Sequence, residues 1–214
     1  MSDIFFEPDQ LRDPGALAAL GLERNPITAL VLPRPIAWIS TLSAEGIANL
    51  APFSFSGMVS QSPPMVMFCA NASHMEGGEK DTLRNVRATG EFVFNIATFE
   101  LRHQMNASSA PLERGKDEFD LVGLEKAASR VVKPPRVAQS PISLECKLVT
   151  IVDLPADEVT GQRNYATIGR IVGVHVKADL IRDGKIDIMR SRPLARLGYL
   201  DFATCHDVFT MERP

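Results

Sequence analysis

Two long β-branched runs near the end of the chain constrain its fold more than any other feature. The runs span 141–152 and 165–176 and are rich in Val, Ile and Thr, residues that pack well on the pleated surface of a sheet. Gly169 and Gly173 interrupt the second run. Because glycines inside a strand mark bends or bulges, the runs predict a sheet that curves as a closing barrel must.

Shorter strand patterns fill the first half of the chain. Residues 36–42 and 47–50 are mostly apolar or β-branched and flank the turn sequence 43–46, which predicts a hairpin. Residues 53–56 alternate with period two, as a half-buried strand does. Residues 65–69 follow two prolines and have the composition of a buried strand.

Helical patterns are few and short. One is predicted over 16–20, before Gly21, and another begins after Lys80 and ends at Gly90. A strand over 91–96 follows, and Thr98 is predicted to cap a helix that extends to Asn106, whereas the charged segment 114–120 is expected to be a loop. The chain is therefore predicted to be mainly β with short helices, without the strand–helix alternation of a doubly wound sheet.

Length and composition set the broad class of the protein. With 214 residues, of which 45% are hydrophobic and 23% charged, the chain is typical of a globular protein and unlike a disordered one. We expect an N-terminal arm over 1–24 and one domain over 25–214. The formal net charge of −3 argues against a dedicated nucleic-acid partner.

Cysteine and histidine spacing argues against disulfides and metal sites. Cys69, Cys146 and Cys205 are widely spaced and odd in number, and the four histidines form no zinc-binding motif. The first residues lack the features of a signal peptide, and no apolar run is long enough to cross a bilayer. We therefore expect a cytoplasmic protein with no metal and no membrane partner.

The common catalytic and nucleotide-binding motifs are missing. The chain contains no GxGxxG, no GxxxxGK[ST] and no GxSxG sequence. These absences argue against a dinucleotide-binding Rossmann fold, a P-loop and a hydrolase nucleophile elbow.

One segment has the chemistry of an anion site. In the sequence 77–82, two glycines, Lys80, Asp81 and Thr82 stand at the start of a predicted helix. Free N–H groups and the helix dipole favour an anion there, Lys80 adds a full charge, and Thr82 can donate a hydrogen bond. Taken alone, however, the segment is better interpreted as a helix cap formed by Asp81 or Thr82, with Lys80 solvated.

Three further segments carry candidate ligand contacts. In 33–41, Ser40 and Thr41 leave room and donors for a ligand, while Trp38 is interpreted as a core anchor. In 49–56, a proline and small residues expose backbone amides that suit a planar heterocycle. The two arginines of 192–198 are interpreted as a solvated loop or a subunit contact.

Taken together, these segments resemble the flavin reductase-like family, FMN-binding split barrels related to flavoredoxin and to the reductase component of nitrilotriacetate monooxygenase. The resemblance runs in order from about Asn25 to the C-terminus. Its segments are PRPIAWIST at 33–41, NLAPFS at 49–54, PPM at 63–65, KDTLRN at 80–85, EFVFN at 91–95, VKPPRV at 132–137, SPISLEC at 140–146 and RPLARLG at 192–198.

The resemblance implies a six-stranded, Greek-key split β-barrel that forms a homodimer and binds FMN near the subunit interface. It places the FMN phosphate beside Lys80, Asp81 and Thr82, and the ribityl end beside Ser40 and Thr41. The NLAPFS segment would lie along the isoalloxazine ring through Asn49, Ala51, Ser54 and Phe55, and Arg34 and the 192–198 loop are further candidates. Glu79 departs from the family pattern, in which a basic residue or proline precedes Lys-Asp-Thr.

The resemblance also implies a flavoprotein oxidoreductase that uses NADH or NADPH and passes electrons to a partner monooxygenase or another acceptor protein. Because FMN performs the redox chemistry itself, no dedicated acid, base or nucleophile is expected in the chain. Two alternatives remain open, an electron carrier that holds FMN tightly and a flavin-binding protein without turnover.

Overall fold

The computed structural model describes residues 3–205 and 207–213. Its strands are β1 (Arg34–Pro35), β2 (Ala37–Leu42), β3 (Ala48–Phe53), β4 (Ser56–Gln61), β5 (Pro64–Asn71), β6 (Glu91–Ile96), β7 (Lys126–Ala127), β8 (Arg136–Val137), β9 (Ile142–Asp153), β10 (Asn164–Val176), β11 (Ile181–Arg182), β12 (Lys185–Ile186), β13 (Leu194–Gly198) and β14 (Asp201–Thr204). The α-helices are α1 (Pro14–Ala19), α2 (Asp81–Thr89), α3 (Arg102–Ala107), α4 (Glu118–Val122) and α5 (Ile188–Ser191). Short 3-10 helices span Pro8–Arg12, Ile27–Ala29 and Ala178–Leu180.

The main sheet curls back on itself into a split barrel. Its seven strands are antiparallel in the order β3-β2-β6-β9-β10-β5-β4. The two edge strands are joined by only Ser54 and Phe55. In a flat sheet those edges would lie about 29 Å apart, whereas this link spans roughly 10 Å. The sheet must therefore close, and its split lies between β3 and β4, which share no backbone pairing in the described chain.

Strand order within the sheet follows a Greek-key path. After the β4–β5 hairpin the chain crosses to β6, which lies beside β2, three positions away from β5. The mainly β class and the split-barrel architecture are thus confirmed. The sheet has seven strands, where the resemblance implied a six-stranded barrel. The run 53–56 is not a strand of its own: it bends at Ser54 and Phe55 and is divided between the end of β3 and the start of β4.

The barrel interior is aromatic and fully buried. The Phe68 ring lies 5.0 Å from the ring of Phe53 and 5.3 Å from that of Phe92, centroid to centroid. These phenylalanines come from β3, β5 and β6, which meet across the barrel because the sheet is closed. Leu83 and Val86 add α2 to the same core. Burial of these apolar side chains stabilises the closed barrel.

A second core covers the outer face of β2 and β3. Trp38 has no exposed surface and packs with Leu50, Met105 and Phe119, so that α3 and α4 are held against the sheet. Its indole Nε1 donates to Ser108 Oγ at 2.9 Å. The interpretation of Trp38 as a core anchor is confirmed, and its hydrogen bond also fixes the loop that follows α3.

Bulges lie where the glycines of β10 predict them. The pairing of β9 with β10 shifts register between Ile168 and Gly169 and again between Ile171 and Gly173. At Gly169 a Cβ would lie 2.3 and 2.4 Å from ring atoms of Phe92. The missing side chain therefore lets the core ring approach the backbone.

Three sequence expectations are corrected by the structure. Thr98 does not cap a helix: it bridges Pro193, and α3 begins only after Leu101. The 114–120 loop contains the start of α4, which Asp117 caps by accepting from Phe119 N at 2.9 Å. The 192–198 segment is mostly strand β13, because it pairs with both β1 and β14. Among the residues described, no helix is long and apolar enough to span a membrane.

Replacement of Gly169 by alanine should destabilise the barrel. The new methyl group would press on the buried Phe92 ring, and overpacking of this kind costs about 1–3 kcal/mol. Gly57→Ala is the matched control, since a Cβ at this β4 glycine meets no atom within 4 Å. Urea unfolding of both variants measures the effect, and equal free energies of unfolding would contradict this account of the bulge.

Candidate functional site

The N-terminal half of α2 is docked on the β2–β3 hairpin by two buried hydrogen bonds. Thr41 and Asn49 are cross-strand neighbours. Asn49 Nδ2 donates to Thr82 Oγ1 at 2.9 Å, and Asn85 Nδ2 donates to Thr41 Oγ1 at 3.0 Å. All four side chains are buried. Since a broken bond would leave a buried polar group unpaired, these contacts fix where the helix begins relative to β3.

A cleft of about 180 Å³ lies where the start of α2 faces β3. One wall comes from β3, a second from the loop before α2, and a third from the loop that Trp38 anchors. The lining residues are Asn49, Ala51, Pro52, Phe53, Ser73, His74, Met75, Lys80, Asp81, Thr82, Ser108, Ser109, Ala110, Pro111 and Leu112. We call this cleft the α2 pocket; it combines polar groups at the helix start with largely apolar walls along β3 and the 108–112 loop.

Lys80 supplies a cation without a partner to the α2 pocket. Its side chain is half-buried, and no described residue forms an ion pair or hydrogen bond with its ammonium. Burial lowers the pKa of Lys80 below its usual value, because the charged form is incompletely solvated. A bound anion would restore the lost solvation, so the position suits a negatively charged group.

Free donors surround Lys80 at the same end of the pocket. Lys80 occupies the N-cap position of α2 without a side-chain cap, so the N–H groups of the first helical turn have no partner in the described structure. The hydroxyl of Thr82 accepts from Asn49, which leaves its own hydrogen free to donate. A phosphate group is matched by this set of donors and charge.

Asp81 faces the pocket but is held by two basic groups. Its carboxylate forms an ion pair with Arg114 Nη1, and His74 Nε2 lies 3.5 Å from its other oxygen. Arg114 Nη2 also donates to the carbonyls of Gly77 and Glu79, at 2.7 and 3.0 Å. Arg114 therefore neutralises Asp81 and clamps the loop that leads to Lys80.

The carboxylate of Glu79, the residue that precedes Lys80, is paired. Arg87 Nε donates to its two oxygens at 3.0 and 3.1 Å. Arg87 lies in the last turn of α2. Glu79 does not line the α2 pocket. Because Arg87 balances its negative charge, Glu79 does not oppose the binding of an anion beside Lys80.

Glu118 contacts β3 on the side opposite to the α2 pocket. Its carboxylate is only 9% exposed and accepts from Leu50 N at 2.8 Å. Burial raises the pKa of Glu118 to about 7, although the Leu50 N–H lowers it in part. Leu50 separates Asn49 from Ala51, so Glu118 helps to position the strand that forms the pocket wall.

Five of the predicted site residues line the α2 pocket, and Thr41 lies directly behind it as a buried support. The five are Asn49, Ala51, Lys80, Asp81 and Thr82. Ser40 is not brought to the pocket. Because successive side chains of a strand face opposite sides, Ser40 points to the outer core, where it donates to Pro135 O at 2.5 Å and accepts from Asn95 at 3.2 Å.

Arg34, Ser54 and Phe55 form a separate group at the β3–β4 bend. The Arg34 guanidinium lies 5.3 Å from the centroid of the exposed Phe55 ring and donates to the carbonyls of Thr28 and Val31. Its Nε is buried without a partner. The bend directly follows Phe53 of the pocket wall, so this group lies beyond the β3 end of the pocket.

Several site residues were missed by reasoning from the sequence. Arg114 and Glu118 fall in the charged segment that was expected to be a loop, and His74 precedes the glycines of the α2 loop. The signal for α4 was available, since Asp117 followed by Phe119 and Leu124 has the pattern of a capped amphipathic turn. Nothing local indicates that Arg114 reaches Asp81, because the two are far apart in sequence.

Comparison with known proteins decides the family. The family model described as "Flavin reductase like domain" matches residues 29–194. The chain belongs to this family. The matched range contains every element that builds the α2 pocket. An uncharacterised protein of Halalkalibacterium halodurans is 35% identical over 184 residues, which cover 86% of this chain and 87% of the relative.

Solved structures of the family share the fold over nearly the whole chain. Nitrilotriacetate monooxygenase component B from Bacillus cereus superposes with a TM-score of 0.84 at 27% identity, covering 99% of this chain and 100% of that one. Flavoredoxin of Desulfovibrio vulgaris (Miyazaki F) gives a TM-score of 0.72 at 19% identity, covering 85% and 92%, and at this identity shows the fold alone. The resemblance inferred from the sequence segments is confirmed.

Glu118→Gln should remove a pH-dependent loss of stability. The pKa of Glu118 is raised from 4.5 to about 7, so the folded protein holds this proton more tightly than the unfolded chain does. The free energy of unfolding should therefore fall as the pH rises through this window, by about 3 kcal/mol. The neutral glutamine keeps an acceptor for Leu50 N and should not show that fall.

Chemical denaturation across the same pH window measures this effect. Glu125→Gln, at an exposed glutamate that follows α4, is the matched control and should retain the native pH profile. Parallel profiles for the native protein and Glu118→Gln would contradict the assignment.

Proposed function

We propose that the chain is an FMN-binding oxidoreductase that reduces its flavin with NADH or NADPH. The observation that carries the proposal is the unpaired, half-buried ammonium of Lys80 beside the free N–H groups of α2. A phosphate is the anion that the donor set fits best. Membership of the flavin reductase-like family supports FMN as the molecule that carries it.

The residues of the α2 pocket have distinct roles in this proposal. Lys80 and Thr82 hold the phosphate, with Asp81 kept neutralised by Arg114. Asn49 and Ala51 lie along the flavin from the β3 side, and the ring system extends toward Ser54 and Phe55. Ser40 and Thr41 are buried on opposite sides of β2. In this proposal they support the strand, and their side chains do not contact the ligand.

Bound there, FMN would supply the redox chemistry, accepting a hydride from a reduced nicotinamide and releasing two electrons to an acceptor. The chain needs only to bind the cofactor, orient its ring and leave one face accessible. The α2 pocket has this form, because it combines a charged end with apolar walls. Relation to a monooxygenase component B supports a partner oxygenase as the acceptor.

An exposed apolar surface supports the proposal that the protein acts as a homodimer. Leu30, Val31, Phe55 and Met58 are 62%, 72%, 42% and 64% exposed. They are neighbours, because Arg34 contacts both the 28–31 loop and Phe55, and β1 contacts β4. Apolar patches of this kind mark association surfaces. A dimer formed there would cover the β3–β4 bend at the end of the proposed flavin site.

Lys80→Ala should weaken FMN binding. Loss of one charge-assisted contact costs about 1.5–3 kcal/mol, or roughly a tenfold to hundredfold increase in Kd. Lys185→Ala removes an exposed lysine from the β11–β12 hairpin and is the matched control. Isothermal titration with FMN measures both variants. An unchanged Kd for Lys80→Ala would remove Lys80 from the site.

Anaerobic stopped-flow mixing tests the activity itself. The FMN-loaded protein should lose its flavin absorbance promptly with NADH, NADPH or both, and faster than free FMN at the same concentration. Absence of bleaching by either nucleotide would exclude the reductase. Reduction by a partner protein alone would then assign the chain as an electron carrier.

A further inference from the structure

A second cavity, of about 310 Å³, lies on the outside of the barrel where β9 begins and β10 ends. It shares no residue with the α2 pocket. Its polar lining comprises Arg130, Arg136, Ser140, His175 and Lys177, and the rest is Ala138, Pro141, Val174 and Val176. We call it the β9–β10 cavity. None of the described residues that line it is acidic, although the chain as a whole carries a net negative charge.

Two of the three cations of this cavity, Arg136 and Lys177, are held in place by carbonyl groups. Arg136 Nε and Nη2 each donate to Ala128 O at 3.1 Å, and Lys177 Nζ donates to Gln139 O at 3.0 Å. Within the described structure no carboxylate lies within ion-pairing distance of Arg130, Arg136 or Lys177. A carbonyl holds a cation but does not neutralise its charge, so the cavity is electropositive.

The loop that carries Arg130 is fixed by a buried carboxylate. Glu145 has no exposed surface and accepts the backbone N–H groups of Arg130, Val131 and Val132 at 2.6–2.9 Å. His175 Nε2 lies 2.5 Å from Glu145 Oε1, the oxygen that also accepts from Arg130 N. Burial opposes ionisation of Glu145, but these donors outweigh it and lower its pKa to about 2. The Glu145 carboxylate accepts from four donors behind the cavity. It therefore holds the loop but does not neutralise the cations that line the cavity.

We propose that the β9–β10 cavity binds a small phosphate-bearing anion, held by Arg130, Arg136 and Lys177 with His175 at its floor. Guanidinium groups match phosphate oxygens through paired N–H donors, and a lysine adds a point charge. The site is independent of the flavin proposal, because neither its residues nor its geometry involves α2. A free phosphate or pyrophosphate and the diphosphate of a nucleotide share the chemistry that it recognises.

Calorimetric titration with pyrophosphate tests the site, on the FMN-saturated protein and on Lys80→Ala without FMN. Bound FMN occupies the α2 pocket in the first preparation. In the second, loss of the Lys80 ammonium weakens anion binding at that pocket, and this preparation remains informative even if FMN does not bind. Saturable binding is expected in both. Arg130→Gln should raise the Kd about tenfold. Arg163→Gln, at an exposed arginine in the loop before β10, is the matched control and should leave the Kd unchanged.

The remaining outcomes either identify the kind of ligand that the site binds or overturn the proposal. Tighter binding of ADP than of pyrophosphate would assign the site to a nucleotide, and equal affinity would assign it to the phosphate groups alone. No saturable heat, heat that sodium chloride at equal ionic strength reproduces, or a Kd that Arg130→Gln and Lys177→Gln both leave unchanged would overturn the proposal. Far-UV circular dichroism of each variant confirms that the fold is retained.

Discussion

The candidate site depends on the docking of one helix on one hairpin. The hydrogen bonds from Asn49 to Thr82 and from Asn85 to Thr41 join α2 to β2 and β3 in a buried environment. In such an environment an unmade bond is costly, so the helix start has one position relative to the strand edge. That position brings the Lys80 ammonium and the free N–H groups of α2 against the small residues of β3. The same packing that stabilises the fold therefore also forms the proposed binding site for a phosphate-bearing ring.

Charge balance around the pocket explains how the proposed anion site is compatible with an acidic chain. The carboxylates nearest to Lys80 are each occupied, Asp81 by Arg114 and Glu79 by Arg87. Glu118 is buried on the other side of β3, where its raised pKa reduces its negative charge near neutral pH. Lys80 is left as the unpaired charge that faces the α2 pocket. The net charge of the chain therefore has little influence on what this pocket binds, since pairing at short range decides the local field.

Much of the fold could be predicted from the sequence because local patterns of residues determine it. The hairpin of β2 and β3, the end of α2 at Gly90 and the bulges at Gly169 and Gly173 all follow from turn residues and glycines. Closure of the barrel and the contact of Arg114 with Asp81 depend on pairings between distant segments, which no local pattern encodes. Ser40 shows the same limit within the site. Its hydroxyl suggested a ligand contact, but the alternation of β2 turns it into the core, and only the neighbouring Thr41 lies on the side of α2.

The account centres on one contact, between the phosphate of FMN and the start of α2. A crystal structure of the protein grown with FMN tests it most directly. We expect the phosphate within hydrogen-bonding distance of Lys80 Nζ and Thr82 Oγ1, and the ring system along β3 toward Phe55. Flavin density at any other place on the barrel, or a cleft beside Lys80 that stays empty at saturating FMN, would contradict it.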